Sequence, residues 1–329
     1  MLSIIIPCRN EKRFIRETIT TIFNQKKIDD QFEVLVVDGM SDDGTREILF
    51  DLQKSYNSLR IIDNPQKITP VALNLGVKNA SGELILILGA HSEFGEDFIC
   101  NSLQLIRDHP EAVCIGGPLI HEGQNNFAKA VAISMTSMIG VGNAAHRFPD
   151  FEGYAEMACF PLYRKEVFTK YGYFDERLIR NQDDEFAFRL TKNNEKIFLS
   201  NKVKAKYFVR DSVKKLFSQY FDYGYWKAAV LKIHKIPISF RHLVPAVFFS
   251  LIILLVIISF LINPKYWFIG ILLPGIYLLS LVIYSLSSIK KSGFNVAKFL
   301  PISILIMHFS YACGFVSGII DFFIKKKFN

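Results

Sequence analysis

The run Ser3-Ile4-Ile5-Ile6-Pro7 decides how this chain folds. A short, β-branched, apolar run without polar alternation reads as a strand covered on both faces. It gives way to the polar Arg9-Asn10-Glu11, after which Phe14, Ile15, Thr18, Ile19 and Ile22 recur at helical spacing. The unit then repeats. EVLVVD (residues 33–38) is a second buried strand, followed by a helix over residues 46–52 with Thr45 as its N-cap. RIID (residues 60–63) is a third strand, with a helix starting at Thr69 or Pro70. ELILILG (residues 83–89) is a fourth and stops abruptly at Ala90-His91. Such alternation predicts an α/β domain with a mostly parallel sheet and helices on both faces. Ligands of such sheets bind beyond the carboxyl ends of the strands, which is where Arg9, Asp38 and His91 stand. Past residue 100 the alternation weakens: Gly116-Gly117-Pro118 marks a turn, and residues 121–155 read as loops and a helix.

The far end of the chain is different. No Asp, Glu, Lys or Arg occurs in residues 243–262, 266–286 or 299–320. Each stretch has about 20 residues, enough to cross a hydrocarbon core as a helix. The expected organisation is a cytosolic domain over residues 1–235 and a multi-pass membrane domain over residues 236–329, in the cytoplasmic membrane. Three crossings put Lys265 outside, Lys290, Lys291 and Lys298 inside, and the tail of Lys325, Lys326 and Lys327 outside. That tail breaks the positive-inside rule, and two crossings would restore it; three is the expectation, since all three stretches meet the length criterion. Pro245, Pro274 and Pro301 are points where a span could kink or divide.

Charge follows the same division. Residues 1–199 carry 22 basic and 28 acidic side chains, whereas residues 200–241 carry ten basic and two acidic ones. An acidic domain argues against nucleic-acid binding. A basic stretch before an apolar span suits either an anionic lipid surface or a solvated connector. The five cysteines form no CxxC pair or zinc-ligand spacing and fit a reducing compartment. No cleavable signal peptide is expected, because the apolar run before Arg9 is too short.

Six motifs in order carry a resemblance: SIIIPCRNE (3–11), VVDGMSDDGT (36–45), NLGVKNASGELILILGAH (74–91), LYRKEVFTKYGYFDE (162–176), NQDDEFAFRL (181–190) and QYFDYGYWK (219–227). Over about 225 residues the chain resembles the family-two inverting glycosyltransferases, which have the GT-A fold, and within them the membrane-bound succinoglycan-type enzymes of exopolysaccharide synthesis. The resemblance implies that Pro7, Arg9, Glu11, Asp38 and Ala90 line the donor nucleotide site, with Asp38 accepting hydrogen bonds from the base or ribose. A carboxylate suits that task because it only accepts. The alternative reading of Asp38 is a turn residue before Gly39. Asp43-Gly44-Thr45 reads as structural, a turn and a cap.

Where the family has two aspartates flanking one residue, this chain has Gly89-Ala90-His91. The resemblance makes His91 the ligand of a divalent metal, Mn²⁺ or Mg²⁺, that bridges the donor diphosphate. Imidazole suits Mn²⁺ better than Mg²⁺. Gly89 removes a carboxylate, and Glu93 is the nearest candidate in sequence to replace its charge. In NQDDEF, Asp183 aligns with the family's catalytic base, with Asp184 and Glu185 beside it; acidic residues are also favoured in a first helical turn whatever their role. By the same resemblance Trp226 contacts the acceptor and Lys227 the departing diphosphate, although aromatics among lysines also form interfacial belts.

The expected activity is inverting transfer of a hexosyl group from a nucleotide sugar, UDP-linked, to a hydroxyl of a polyprenyl-diphosphate-linked glycan at the membrane. A polyprenyl-phosphate glycosyltransferase and a non-catalytic nucleotide-binding scaffold are the alternatives.

Overall fold

In β1 (Leu2–Cys8) only the Pro7 side chain is not fully buried. The computed structural model describes residues 1–25, 31–262 and 267–328, and within them it gives two units: residues 1–120 with 144–207, and residues 121–143 with 208–329. The second unit therefore takes in residues 121–143 and 208–235, which the boundary at 235 assigns to the first. Lys265 and Tyr266 lie outside the described residues.

The first unit opens with β1, α1 (Ile15–Phe23), β2 (Phe32–Asp38), α2 (Thr45–Ser55), β3 (Leu59–Asp63), α3 (Thr69–Asn79) and β4 (Leu84–Ile87). It continues through β5 (Glu93–Phe94), α4 (Phe98–Asp108) and β6 (Ala112–Gly117), and β7 (Leu119–Glu122) leads into the second unit. There α5 (Asn126–Met135) and α6 (Met138–Val141) follow, before the chain returns to the first unit. It resumes with β8 (Gly153–Tyr154), β9 (Cys159–Arg164), α7 (Glu166–Tyr171), α8 (Gln182–Lys192), β10 (Lys196–Leu199) and β11 (Ala205–Phe208). The second unit ends with α9 (Val213–His234), α10 (Val244–Ile262), α11 (Trp267–Ser292), α12 (Phe294–Ala297) and α13 (Leu300–Ile319).

The main sheet has eight strands in the order β3-β2-β1-β4-β9-β6-β10-β8. β1 lies parallel to β2 and β4, and β2 parallel to β3, as the alternation of strands and helices predicts. β9 is inserted antiparallel between β4 and β6. The two-residue period of β1 splits the core: Ile4 and Ile6 pack with Ile15, Ile19 and Leu49 on one face, Ile5 with Leu73, Val77 and Phe186 on the other. Gly76 on α3 is needed for this packing, because a Cβ there would come within 2.4 Å of Ile5.

α2 begins at Thr45, one residue earlier than expected, and its N-cap is Gly44 in the left-handed conformation. Thr45 is thus not the cap. The Asp43 carboxylate stands in for it, accepting from the Thr45 amide at 3.0 Å and from the Thr45 hydroxyl.

Among the described residues, three helices are long and apolar enough to cross a membrane: residues 244–262, 270–292 and 294–324.

Candidate active site

Three of the loops at the carboxyl end of the parallel strands are tied together. The Asn10 amide donates to Ser41 Oγ at 2.9 Å, and the Asn10 side chain exchanges two hydrogen bonds with Asp42. The Glu11 amide donates to Thr45 Oγ1 at 2.9 Å and the Lys12 amide to Asp43 at 3.2 Å. The reading of Asp43 and Thr45 as structural rests here on named contacts: they fasten the β1–α1 loop to the start of α2. An open cavity of about 480 Å³ borders this loop, lined by Asn10, Glu11, Lys12, Arg13, Phe14 and Asp43. Arg9 lies across Gly39, which has no side chain to obstruct it, and reaches the Lys67 carbonyl at 3.5 Å.

Asp38, at the end of β2, is wholly buried. Its carboxylate accepts from the Ser41 amide and hydroxyl and pairs with Arg46 at 2.6 Å, while Arg46 also meets Asp63 at 2.8 Å. In this conformation Asp38 organises the β2–α2 loop and holds Arg46. Sequence reasoning missed Arg46, since nothing local marks a residue eight positions on as a partner.

β4 is followed by Leu88 to His91, the turn that lacks the family's first carboxylate. The Leu88 amide still bonds to the Ile5 carbonyl at 3.0 Å, and the buried Thr18 hydroxyl donates to the Ala90 carbonyl at 2.9 Å. Space for a side chain at Gly89 is taken: a Cβ would lie 2.6 Å from Ser92 Oγ and 3.7 Å from the Phe160 ring. His91 is 60% exposed, and its Nδ1 lies 3.0 Å from Glu11 Oε1. Two expected site residues, eighty positions apart, thus meet. Glu93 does not join them, because it sits in β5 and pairs with Lys206 across the strand at 3.2 Å. The carboxylate beside His91 is Glu11.

β9 runs antiparallel, so its first residues, Cys159 and Phe160, return to this same end of the sheet. Burial pushes the Cys159 thiol up to about 12; Arg147 opposes that rise and the charge of Asp183 adds to it. Asp183 is thereby within electrostatic reach of the strand beside Gly89. The three acidic residues opening α8 have separate fates. Glu185 is 2% exposed and ion-paired with Arg189 at 2.7 Å, and Arg189 also donates to the Tyr171 and Tyr173 carbonyls at 2.6 Å each. Asp184 is half-buried, its amide donating to Asp183 Oδ1 at 2.9 Å. Asp183 is exposed.

Five non-glycine residues of these loops hold positive φ: Asn10, Met40, Lys67, Phe160 and Asn181. For Phe160, at φ 48°, that conformation is rare, and strained backbone of this kind concentrates at functional sites.

Among the described residues no three His, Cys, Asp or Glu side chains group as a metal cage. The donor set fits a metal held mainly by a ligand's phosphate oxygens, with His91 and Glu11 as the protein's share, since Mn²⁺ accepts imidazole and carboxylate together. Trp226 and Lys227 are on α9, in the second unit. Trp226 packs on Tyr225 and Phe322, with ring centroids 5.5 and 6.0 Å away, and Lys227 is buried.

The profile of Glycosyl transferase family 2 matches residues 3–172. The chain belongs to that family. Along nearly its whole length it also resembles a Methanococcus voltae enzyme named dolichyl N-acetyl-alpha-D-glucosaminyl phosphate 3-beta-D-2,3-diacetamido-2,3-dideoxy-beta-D-glucuronosyltransferase, 27% identical over 97% of both chains. The succinoglycan biosynthesis protein ExoA of Rhizobium meliloti (strain 1021) is 26% identical over 97% of this chain and 95% of its own. Among solved structures, the Pyrobaculum calidifontis mannosyltransferase PcManGT, in complex with GDP-Man and Mn²⁺, superposes with a TM-score of 0.62 at 14% identity, covering 93% of this chain and 86% of that one. S. aureus TarS 1-349 with UDP-GlcNAc gives 0.52 at 15% identity, covering 91% and 90%. The first unit has the GT-A fold, and this family-2 chain is a glycosyltransferase.

Proposed function

We propose that the chain transfers a hexosyl group, with inversion, from a UDP-linked nucleotide sugar to a hydroxyl of a lipid-linked glycan at the cytoplasmic membrane, with the catalytic unit cytosolic. The observation that carries this reading is the division of labour at the start of α8. Glu185 is committed to Arg189, whereas Asp183 is exposed in the first turn, where the helix N-terminus favours a carboxylate's charge. A base has to reach its substrate, and of the three only Asp183 faces solvent openly.

Asp183 takes the proton of the acceptor hydroxyl as that oxygen bonds to the anomeric carbon. The bond from this carbon to the diphosphate breaks at the same time, and its electron pair leaves with the nucleoside diphosphate. A divalent ion, when bound, supplies charge neutralisation for the leaving diphosphate. His91 and Glu11 would hold that ion, and Arg9 and Arg147 add positive charge at the same end of the sheet.

A lipid-linked acceptor is supported by the M. voltae relative, whose name gives a dolichyl phosphate-linked sugar modified at its 3-position. That is a sugar hydroxyl rather than a bare lipid phosphate, which favours the present reading over a polyprenyl-phosphate glycosyltransferase, although a polyprenyl-diphosphate carrier fits as well. A nucleotide-sugar donor is supported by the complexes of the two fold neighbours, and a metal by the Mn²⁺ in the mannosyltransferase complex.

Asp183→Asn is expected to lower the transfer rate at least ~100-fold, the size of a lost general base, and to leave UDP·Mn²⁺ affinity in calorimetry unchanged. Turnover like the wild type's in that variant would remove Asp183 from the mechanism.

A further inference from the structure

The second unit raises a question of its own: how its apolar helices meet a membrane. α10 exposes large apolar side chains all around, for example Leu251, Ile253, Leu254 and Val256 on successive faces, and α11 exposes one broad apolar face through Ile271, Leu272, Leu278, Leu279, Val282 and Ile283. Only 11% and 17% of these two spans is buried, but half of the α13 span is. On α13 itself the exposed large residues are Ile302, Phe309, Val316 and Ile320, and the same stripe continues to Phe323 beyond the helix end. Spacings of seven and four place them in one narrow stripe. The remaining residues of α13 are buried or half-buried.

The cover carries charge. α9 runs parallel to α13 at very short range: a Cβ on Gly224 would lie 2.1 Å from the Tyr311 carbonyl, on Gly314 2.0 Å from the Phe221 carbonyl, and on Gly318 2.5 Å from the Tyr225 carbonyl. Further along, Tyr225 donates to Asp321 at 2.8 Å, Lys327 reaches the Tyr225 hydroxyl at 2.8 Å, and Lys232 lies over Phe323. α9 also bears Lys214, Lys215, Asp222 and Lys227. Earlier on α13, α5 and α6 lie alongside, through Ser134 on Ser303 at 2.7 Å and the Gly140 carbonyl on His308 at 3.1 Å.

The chain path then decides the matter. α9 ends near the level of Phe323, where Lys232 sits. α10 starts near the level of Phe309, which Phe249 contacts, and just before it Arg241 bonds Asn143 at 3.2 Å. Fourteen helical residues separate those levels, about 21 Å. If α13 crossed a bilayer, α9 would have to cross beside it. Residues 235–243 would then have to return through lipid, and they carry Lys235, Arg241 and His242 with one short 3₁₀ turn as their only helix. Irregular, lipid-exposed backbone does not occur at that depth.

We infer that α13 is a surface helix that rests its one apolar stripe on the bilayer, that the α10–α11 hairpin is the inserted anchor, and that the C-terminal tail stays on the same side as α9. The bilayer is the partner of both surfaces. This arrangement collects Lys214, Lys215, Lys290, Lys291, Lys298 and Lys325 on one side, in accord with the positive-inside rule and attraction to anionic lipid. It departs from the three crossings expected from segment length alone.

The test compares Lys326→Cys with Lys214→Cys in the full chain, against the wild-type cysteine background, using a membrane-impermeant maleimide on intact cells and on inverted membrane vesicles. Both cysteines are expected to react in one preparation and to be spared in the other. Labelling of the two in opposite preparations would overturn the inference, as would release of the wild-type chain from membranes by alkaline carbonate. Should Lys326→Cys fail to accumulate, Lys327→Cys reads the same tail. None of these readouts depends on catalysis, so a failed glycosyltransferase assay would leave the inference standing.

Discussion

Gly89 is where this chain departs from the family pattern, and both it and His91 have local partners. Ser92 Oγ occupies the space a side chain at Gly89 would need, and Glu11 stands 3.0 Å from His91. The two side chains would hold the ion together, and even a carboxylate that only orients a ligating imidazole typically contributes 10- to 100-fold in metal affinity. Glu11→Gln is therefore expected to weaken Mn²⁺ binding to the UDP-loaded enzyme by about that factor, read by Mn²⁺ electron paramagnetic resonance, and His91→Ala to abolish the Mn²⁺ enhancement of UDP affinity. Unchanged binding in both variants would take the metal away from this pair. His91 is legible in the sequence because it ends a strand inside a family motif. Its partner is not, because a contact across eighty residues is set by the sheet order β1-β4 and not by anything local. Asp38 shows the converse: its position is legible, but its complete burial under Ser41 and Arg46 is not.

At the scale of elements, the alternation of strands and helices before residue 100 gives the parallel half of the sheet directly, because each strand is a buried apolar run. β9 is harder to read. It is antiparallel in a mixed sheet, and no periodicity announces that CFPLYR turns back between β4 and β6. The same holds for α9 and α13, whose contact depends on Gly224, Gly314 and Gly318 removing bulk in segments some ninety residues apart. Gly314→Leu must push the two helices apart, since its first carbon would already lie 2.0 Å from a backbone oxygen. A lower melting temperature in detergent, with UDP affinity preserved, is the expected outcome. In α8, Glu185→Ala strands Arg189, and losing one partner of a buried pair costs about 3–5 kcal/mol. A clear fall in the denaturant midpoint is expected there, distinct from Asp183→Asn, which should leave that midpoint in place.

For the whole molecule, membership of the family makes the chain a glycosyltransferase, and the role proposed for the exposed Asp183 as base implies a single displacement. A single displacement inverts the anomeric carbon, because the acceptor oxygen enters opposite the departing diphosphate. The most direct measurement is the anomeric configuration of the product, read by proton NMR on material made by the detergent-purified chain from an α-linked UDP-sugar and a lipid-linked glycan acceptor. A β-linked product formed with one equivalent of UDP is the predicted result. An α-linked product, or no nucleoside diphosphate released from any of a panel of UDP-, GDP- and dTDP-sugars, would contradict the account.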